Sequence, residues 1–150
     1  MNCKHTYNLS PPKPDEKNNL LYEDPQRPNY LSVYYHRSSA LASDKSCWSI
    51  SRDEEVFRFY CAHDNKNFSS KSPDLWHIED GSNYIGAEEE LISYFVSPSS
   101  HNVPWHGFPF TFGRRSPKER IIALKEVAER LLKEGKLPLK RAAKIRTGSI

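Results

Sequence analysis

The sequence predicts a small single-domain α+β fold: a mostly antiparallel sheet with a long C-terminal helix packed on one face and a short basic terminal helix. Three observations carry this expectation. A chain of 150 residues suits one domain with a single core. Between residues 30 and 112, short runs of aromatic and β-branched residues alternate with polar, turn-forming stretches. Beyond residue 116 the apolar spacing changes to three and four and stays there.

Residues 1–29 hold five of the eleven prolines and one apolar patch, Leu20-Leu21-Tyr22. So little apolar surface does not offset the entropy of ordering, and an extended or disordered arm is expected ahead of a domain at 30–150. From Tyr30 to His36, Leu31, Val33 and Tyr35 alternate with more polar positions and predict a strand. Ser38 to Lys45 is a loop, and Cys47 to Ile50 a second short strand. Ser51 and Glu54 have capping-box spacing, which opens a helix from Asp53 to about His63. The strand-formers from Val56 to Cys61 leave a hairpin open over 53–62.

Leu75 to Ile78 reads as a strand. Ala87 to Phe95 reads as a helix, its three glutamates placed where the helix dipole favours them. Phe108 to Phe112 reads as an edge strand, because Pro109 is barred from a central one. The clearest element starts at Pro117, with Ser116 as N-cap, Glu119 completing a capping box and Gly135 at C′. Ile121, Leu124, Ala128 and Leu131 form its core stripe. A second helix, Pro138 to about Arg146, carries only Leu139, Ala142 and Ile145 as an apolar stripe.

Charge divides the chain at the same place. The basic helical segment 113–150 has twelve Lys and Arg against four Asp and Glu, a net of +8, and the preceding residues net −5. That asymmetry implies either a polyanion partner (RNA, DNA or an acidic protein) or docking of the basic tail on the acidic body. Arg114, Arg115, Lys140, Arg141 and Lys144 are the expected contacts, with Trp105 beside them. No helix-turn-helix, zinc-finger or Gly-rich phosphate-loop pattern is present, so phosphate contact is expected without base reading.

No apolar run approaches the ~20 residues a membrane span needs, so no membrane partner is expected. The N-terminus lacks the apolar core of a signal peptide. Cys3, Cys47 and Cys61 show no CxxC spacing and read as reduced thiols of a cytoplasmic protein.

The segment His101 to Phe112 packs two histidines, two prolines, a glycine, a tryptophan and three phenylalanines into twelve positions, the composition of a rigid aromatic loop. His77, His101 and His106 on or beside it are candidate acid/base residues, since imidazole titrates near pH ~6.5. With Arg114 and Arg115 they would equip a histidine-dependent, toxin-like nuclease. The gap between His101 and His106 matches no metal-ligand spacing, and neither metal nor cofactor is expected.

An arginine after a strand (Arg37), a Ser-rich strand with tryptophan (Ser49) and a later Glu-x-Glu ending at Glu90 together resemble the ADP-ribosyltransferases. The resemblance implies that Arg37 and Ser49 would hold NAD and that Glu90 would polarise the ribose. The first expectation remains a small cytoplasmic binding or regulatory protein. The rival is an enzyme of one of these two kinds, favoured if His77 and His106 cluster around a pocket.

Overall fold

The computed structural model describes residues 6–37, 46–112 and 116–149. The expected loop at 38–45 lies outside them. The described residues form two small antiparallel sheets and three helices, an α+β fold with the long C-terminal helix packed on the body. β1 (Lys13–Pro14), β2 (Leu20–Asp24) and β3 (Arg27–Ser32) pair in chain order. β4 (Leu75–Ile78), β5 (Ile92–Val96) and β6 (His106–Pro109) make the second sheet, with β5 central. The sheets meet where β3 runs parallel to the start of β6. There the Leu31 amide donates to the Trp105 carbonyl at 2.7 Å, and the Trp105 amide donates to Asn29 at 2.9 Å.

Helix α1 (Arg52–Asp64) packs on β3 and β4. Its Ser51 hydroxyl accepts from the Glu54 amide at 3.1 Å and Glu54 reaches back, the capping box that settles helix over hairpin at 53–62. α2 (Lys118–Lys133) and α3 (Leu139–Thr147) pack on each other, and α2 also meets β4. Strand alternation sorts the core into two clusters. Leu75 and Phe95 join Val56, Phe59 and Tyr60 of α1. Trp76, Ile78, Ile92 and Tyr94 join Leu124, Val127, Leu131, Ala142 and Ile145 of the two C-terminal helices. Gly107 sits opposite Phe95, and a Cβ there would overlap the Phe95 ring.

Several local expectations change. Residues 6–29 carry β1, β2 and the start of β3, and Tyr22 is buried in the α1 cluster; this stretch is sheet, not a detached arm. Val33 onwards leaves the sheet for a short 3-10 turn at Tyr34–His36. Cys47–Ile50 makes one bridge, Trp48 to Gly86, instead of a strand. The helix expected at Ala87–Phe95 is replaced by a loop and β5. Glu89 takes a left-handed φ of 65°, which breaks a helix, and Glu90 is buried with its Oε1 accepting from the Glu88 amide at 2.8 Å.

β6 ends at Pro109, so the expected edge strand lies earlier than 108–112. On α2, Pro117 is the N-cap. Ser116 does not cap: its hydroxyl donates to the Thr111 carbonyl at 2.7 Å. The reading of three reduced thiols is also corrected. Cys61 is disulfide-bonded, whereas Cys47 is buried with its thiol pushed up by burial and then by Glu90 and Glu88; Cys3 lies outside the described residues. Cysteine usage therefore no longer argues for a reducing compartment. Among the described residues no helix is long and apolar enough to cross a membrane.

Candidate functional site

The basic helices carry most of the positive charge of the C-terminal segment. Their arginines are largely consumed inside the fold. Arg141 donates to the carbonyl of Glu79, and to that of Gly81 at 2.8 Å, tying α3 to the end of β4. Arg130 donates to the Lys66 carbonyl and the Asn67 side chain, both at 3.0 Å, and Arg146 pairs with Glu129 at 2.7 Å. The lysines behave differently. Lys118, Lys125, Lys133, Lys140 and Lys144 have no ion-pair partner among the described residues, and all but Lys125 are exposed. α3 contains no acidic residue at all.

Lys133 ends α2, Lys136 lies in the connection and Lys140 begins α3, so the three flank one corner of the helical pair. Leu139, 64% exposed, stands at the same corner. Lys144 is placed less well for a polyanion, because it lines a cavity shared with Glu88, Glu89 and Glu90. Arg114 and Arg115 lie outside the described residues. Trp105 turns inward, its ring 5.5 Å from that of Phe59, and so is part of the core rim more than of a binding face.

The three histidines do not assemble. His77 stands opposite Ser93 on β5, and His106 stands opposite Val96 three residues along. Directly opposed residues share a face and the faces alternate, so His77 points towards α1 and His106 towards the side of α2. Their separation along β5 alone is about 10 Å at ~3.3 Å per residue. His106 is half-buried, and burial lowers its pKa, which favours the neutral imidazole. His101 is exposed, on a loop lining a shallow groove of about 870 Å³ with Arg27, Asn29 and Trp105.

His77 has a full set of neighbours of its own. Its Nε2 lies 2.7 Å from Glu79 Oε2, and Arg58 reaches both carboxylate oxygens of Glu79 at 3.2 Å. Burial pushes the Glu79 carboxyl up, but the hydrogen bond and charge of His77, with Arg58, outweigh it and hold the group at about 2. His77 Nδ1 and Ser93 Oγ, cross-strand neighbours, are both buried without a hydrogen-bond partner among the described residues. Ser93 has no solvent exposure, so this carboxylate–imidazole–hydroxyl row is closed to any substrate in the described state.

Arg37, Ser49 and Glu90 are each engaged elsewhere. Arg37 binds the buried Glu55 at 2.5 Å and the Ile50 carbonyl. The Ser49 amide donates to Ile85 at 3.0 Å, and Glu90 Oε2 accepts from Thr111 at 3.0 Å. None of these bonds joins one of the three to another. Sequence reasoning missed a cavity of about 300 Å³ lined by Asp74, Trp76, Tyr94 and Arg120 at the start of α2. Its residues are scattered over β4, β5 and α2, and no spacing in the chain announces them.

Comparison with protein-family models, curated proteins and solved structures finds no match. The class that the fold itself defines is a small α+β protein with a basic C-terminal helical pair.

Proposed function

We propose that this is a non-catalytic binding protein whose C-terminal helical pair engages a polyanion, and that the phosphate backbone of a nucleic acid is the form best suited to it. One observation carries the reading: the lysines of α2 and α3 are left without carboxylate partners among the described residues, while Arg130, Arg141 and Arg146 are spent on the fold. Lys133, Lys136 and Lys140 are the central contacts; Lys136 also lies 3.3 Å from exposed Glu134, a pair that water screens. Such contacts neutralise phosphates without reading bases. The nuclease alternative has less support, since His77 and His106 project from opposite faces of their sheet.

The test is binding to labelled RNA and duplex DNA across a salt series, for the wild type and for Lys133→Ala/Lys136→Ala/Lys140→Ala. The log-log salt slope should flatten by up to about 0.9 for each duplex phosphate no longer neutralised, or ~0.7 on single strands. Folding should persist, because none of the three side chains is buried. Absence of binding to either nucleic acid would overturn the reading and leave an acidic protein as the remaining polyanion.

A further inference from the structure

We propose that the cavity at the start of α2 is a binding site for a small oxyanion, a carboxylate or a phosphate, independent of the lysine corner. Three kinds of hydrogen-bond donor belong to its lining residues. Trp76, 1% exposed, lines the cavity, and its buried indole Nε1 has no acceptor among the described residues. Arg120 also lines it, with its guanidinium carbon 4.7 Å from the centre of the Tyr94 ring and 5.8 Å from that of Phe108. The guanidinium also hydrogen-bonds the Tyr94 hydroxyl, and no carboxylate pairs with it among the described residues. The third donor set is the first turn of α2, sixteen residues long, whose N-cap Pro117 has no side-chain acceptor to offer.

The acceptors in the cavity are already used or exposed. Asp74 takes the Tyr94 hydroxyl on one oxygen and the Ser97 amide, at 2.8 Å, on the other. Glu119, also on the lining, is exposed, so solvent screens it. A buried indole N–H without an acceptor is expensive, and a helix N-terminus adds a positive partial charge beside it. An oxyanion with one oxygen towards Trp76 and another towards Arg120 would meet both side-chain donors.

The experiment is a ¹⁵N-resolved titration of the whole chain with sodium phosphate and, separately, sodium acetate, at constant ionic strength against sodium chloride. The three tryptophans give three indole N–H signals, assigned through the backbone and checked with Trp76→Phe. The Trp76 indole should shift saturably while those of Trp48 and Trp105 stay still. Arg120→Gln should weaken the response about tenfold or more, as removal of a charge-assisted hydrogen bond does. A response to phosphate alone assigns a phosphate ligand, to acetate alone a carboxylate, and to both a general oxyanion site. A Trp76 signal that does not move, or one that moves equally in Arg120→Gln, overturns the proposal. Lys133→Ala/Lys136→Ala/Lys140→Ala should leave this titration unchanged, so failure of the polyanion reading and failure of this one are distinguishable.

Discussion

Arg37 donates to Glu55 at 2.5 Å, and Glu55, in the first turn of α1, has no solvent exposure. Tyr30 and Ser32 of β3 donate to the same carboxylate, at 2.5 and 2.8 Å, so one side chain joins the first sheet to α1. Burial pushes the Glu55 carboxyl up, and Arg37 with the two hydroxyls only partly offsets it. A raised carboxyl contributes stability that is full below its unfolded pKa and is lost as pH rises through the folded value. Arg37→Met should therefore cost about 3–5 kcal/mol at neutral pH, the cost of stranding a buried charge. That penalty should shrink as pH falls and Glu55 protonates. The double variant Arg37→Met/Glu55→Gln should recover part of it. Urea unfolding at two pH values reads all of this; a penalty that grew towards low pH would refute the assignment.

Tyr22 gives a second test, of whether residues 6–29 belong to the fold. Its ring is buried in the α1 cluster and its hydroxyl donates to Asp53 at 3.0 Å. Tyr22→Phe should cost about 1 kcal/mol, the net value of one hydrogen bond. Tyr22→Ala should cost about 3–5 kcal/mol, as other large aromatic truncations do. A negligible effect of Tyr22→Ala on the melting temperature would mean that β2 is dispensable.

The long helix offers a contrast between neighbours. Leu124 is fully buried among Trp76, Val127 and Leu131, whereas Ile122 is 58% exposed. Leu124→Ala should cost about 2–5 kcal/mol, and Ile122→Ala within about 0.5 kcal/mol. Equal costs in thermal or urea unfolding would show that the wrong face had been assigned to the core.

Glu79 sets an acid limit on stability. Its carboxyl is held at about 2, against an ordinary value of 4.5. A depressed carboxyl contributes stability above its unfolded pKa and loses it as pH falls through the folded value. The window is therefore pH 4.5 down to about 2. Glu79→Gln should flatten the fall in stability across that window relative to wild type, measured by denaturant unfolding at successive pH values. An unchanged acid profile would mean that His77 and Arg58 do not hold the charge in solution.

These elements also show which signals the chain displays openly. α2 and α1 were legible because a 3–4 apolar spacing and a Ser51–Glu54 box act locally. β5 was not. Ile92 to Val96 is apolar except at Ser93, a run whose length and periodicity do not separate strand from helix, and the three preceding glutamates imitate a helix start. The structure instead gives Glu89 a positive φ and turns Glu90 inward, against nearby Gly86 and the distant Thr111. The histidine candidates lie apart for a related reason. Strand order and register, which place His77 and His106 on opposite faces, are absent from local spacing. The cavity at α2 is likewise assembled from three elements far apart in sequence.

Arg141 and Lys140 are adjacent in sequence and carry the same charge, yet only the arginine is tied into the fold. Arg141 is half-buried and clamps the carbonyls of Glu79 and Gly81, the loop that follows β4. Lys140 is exposed and touches no carboxylate among the described residues. Arg141→Ala should cost about 1.5–3 kcal/mol, the range for hydrogen bonds from a charged donor. Lys140→Ala should change stability by no more than about 0.5 kcal/mol. In the nucleic-acid assay the order reverses: Lys140→Ala should flatten the salt slope, because one phosphate goes unneutralised on a fold that is otherwise intact. Arg141→Ala, assayed well below its own melting temperature, should leave that slope nearly unchanged. If Arg141→Ala flattened the slope while Lys140→Ala did not, the assignment of fold to the arginine and binding to the lysine would have to be exchanged.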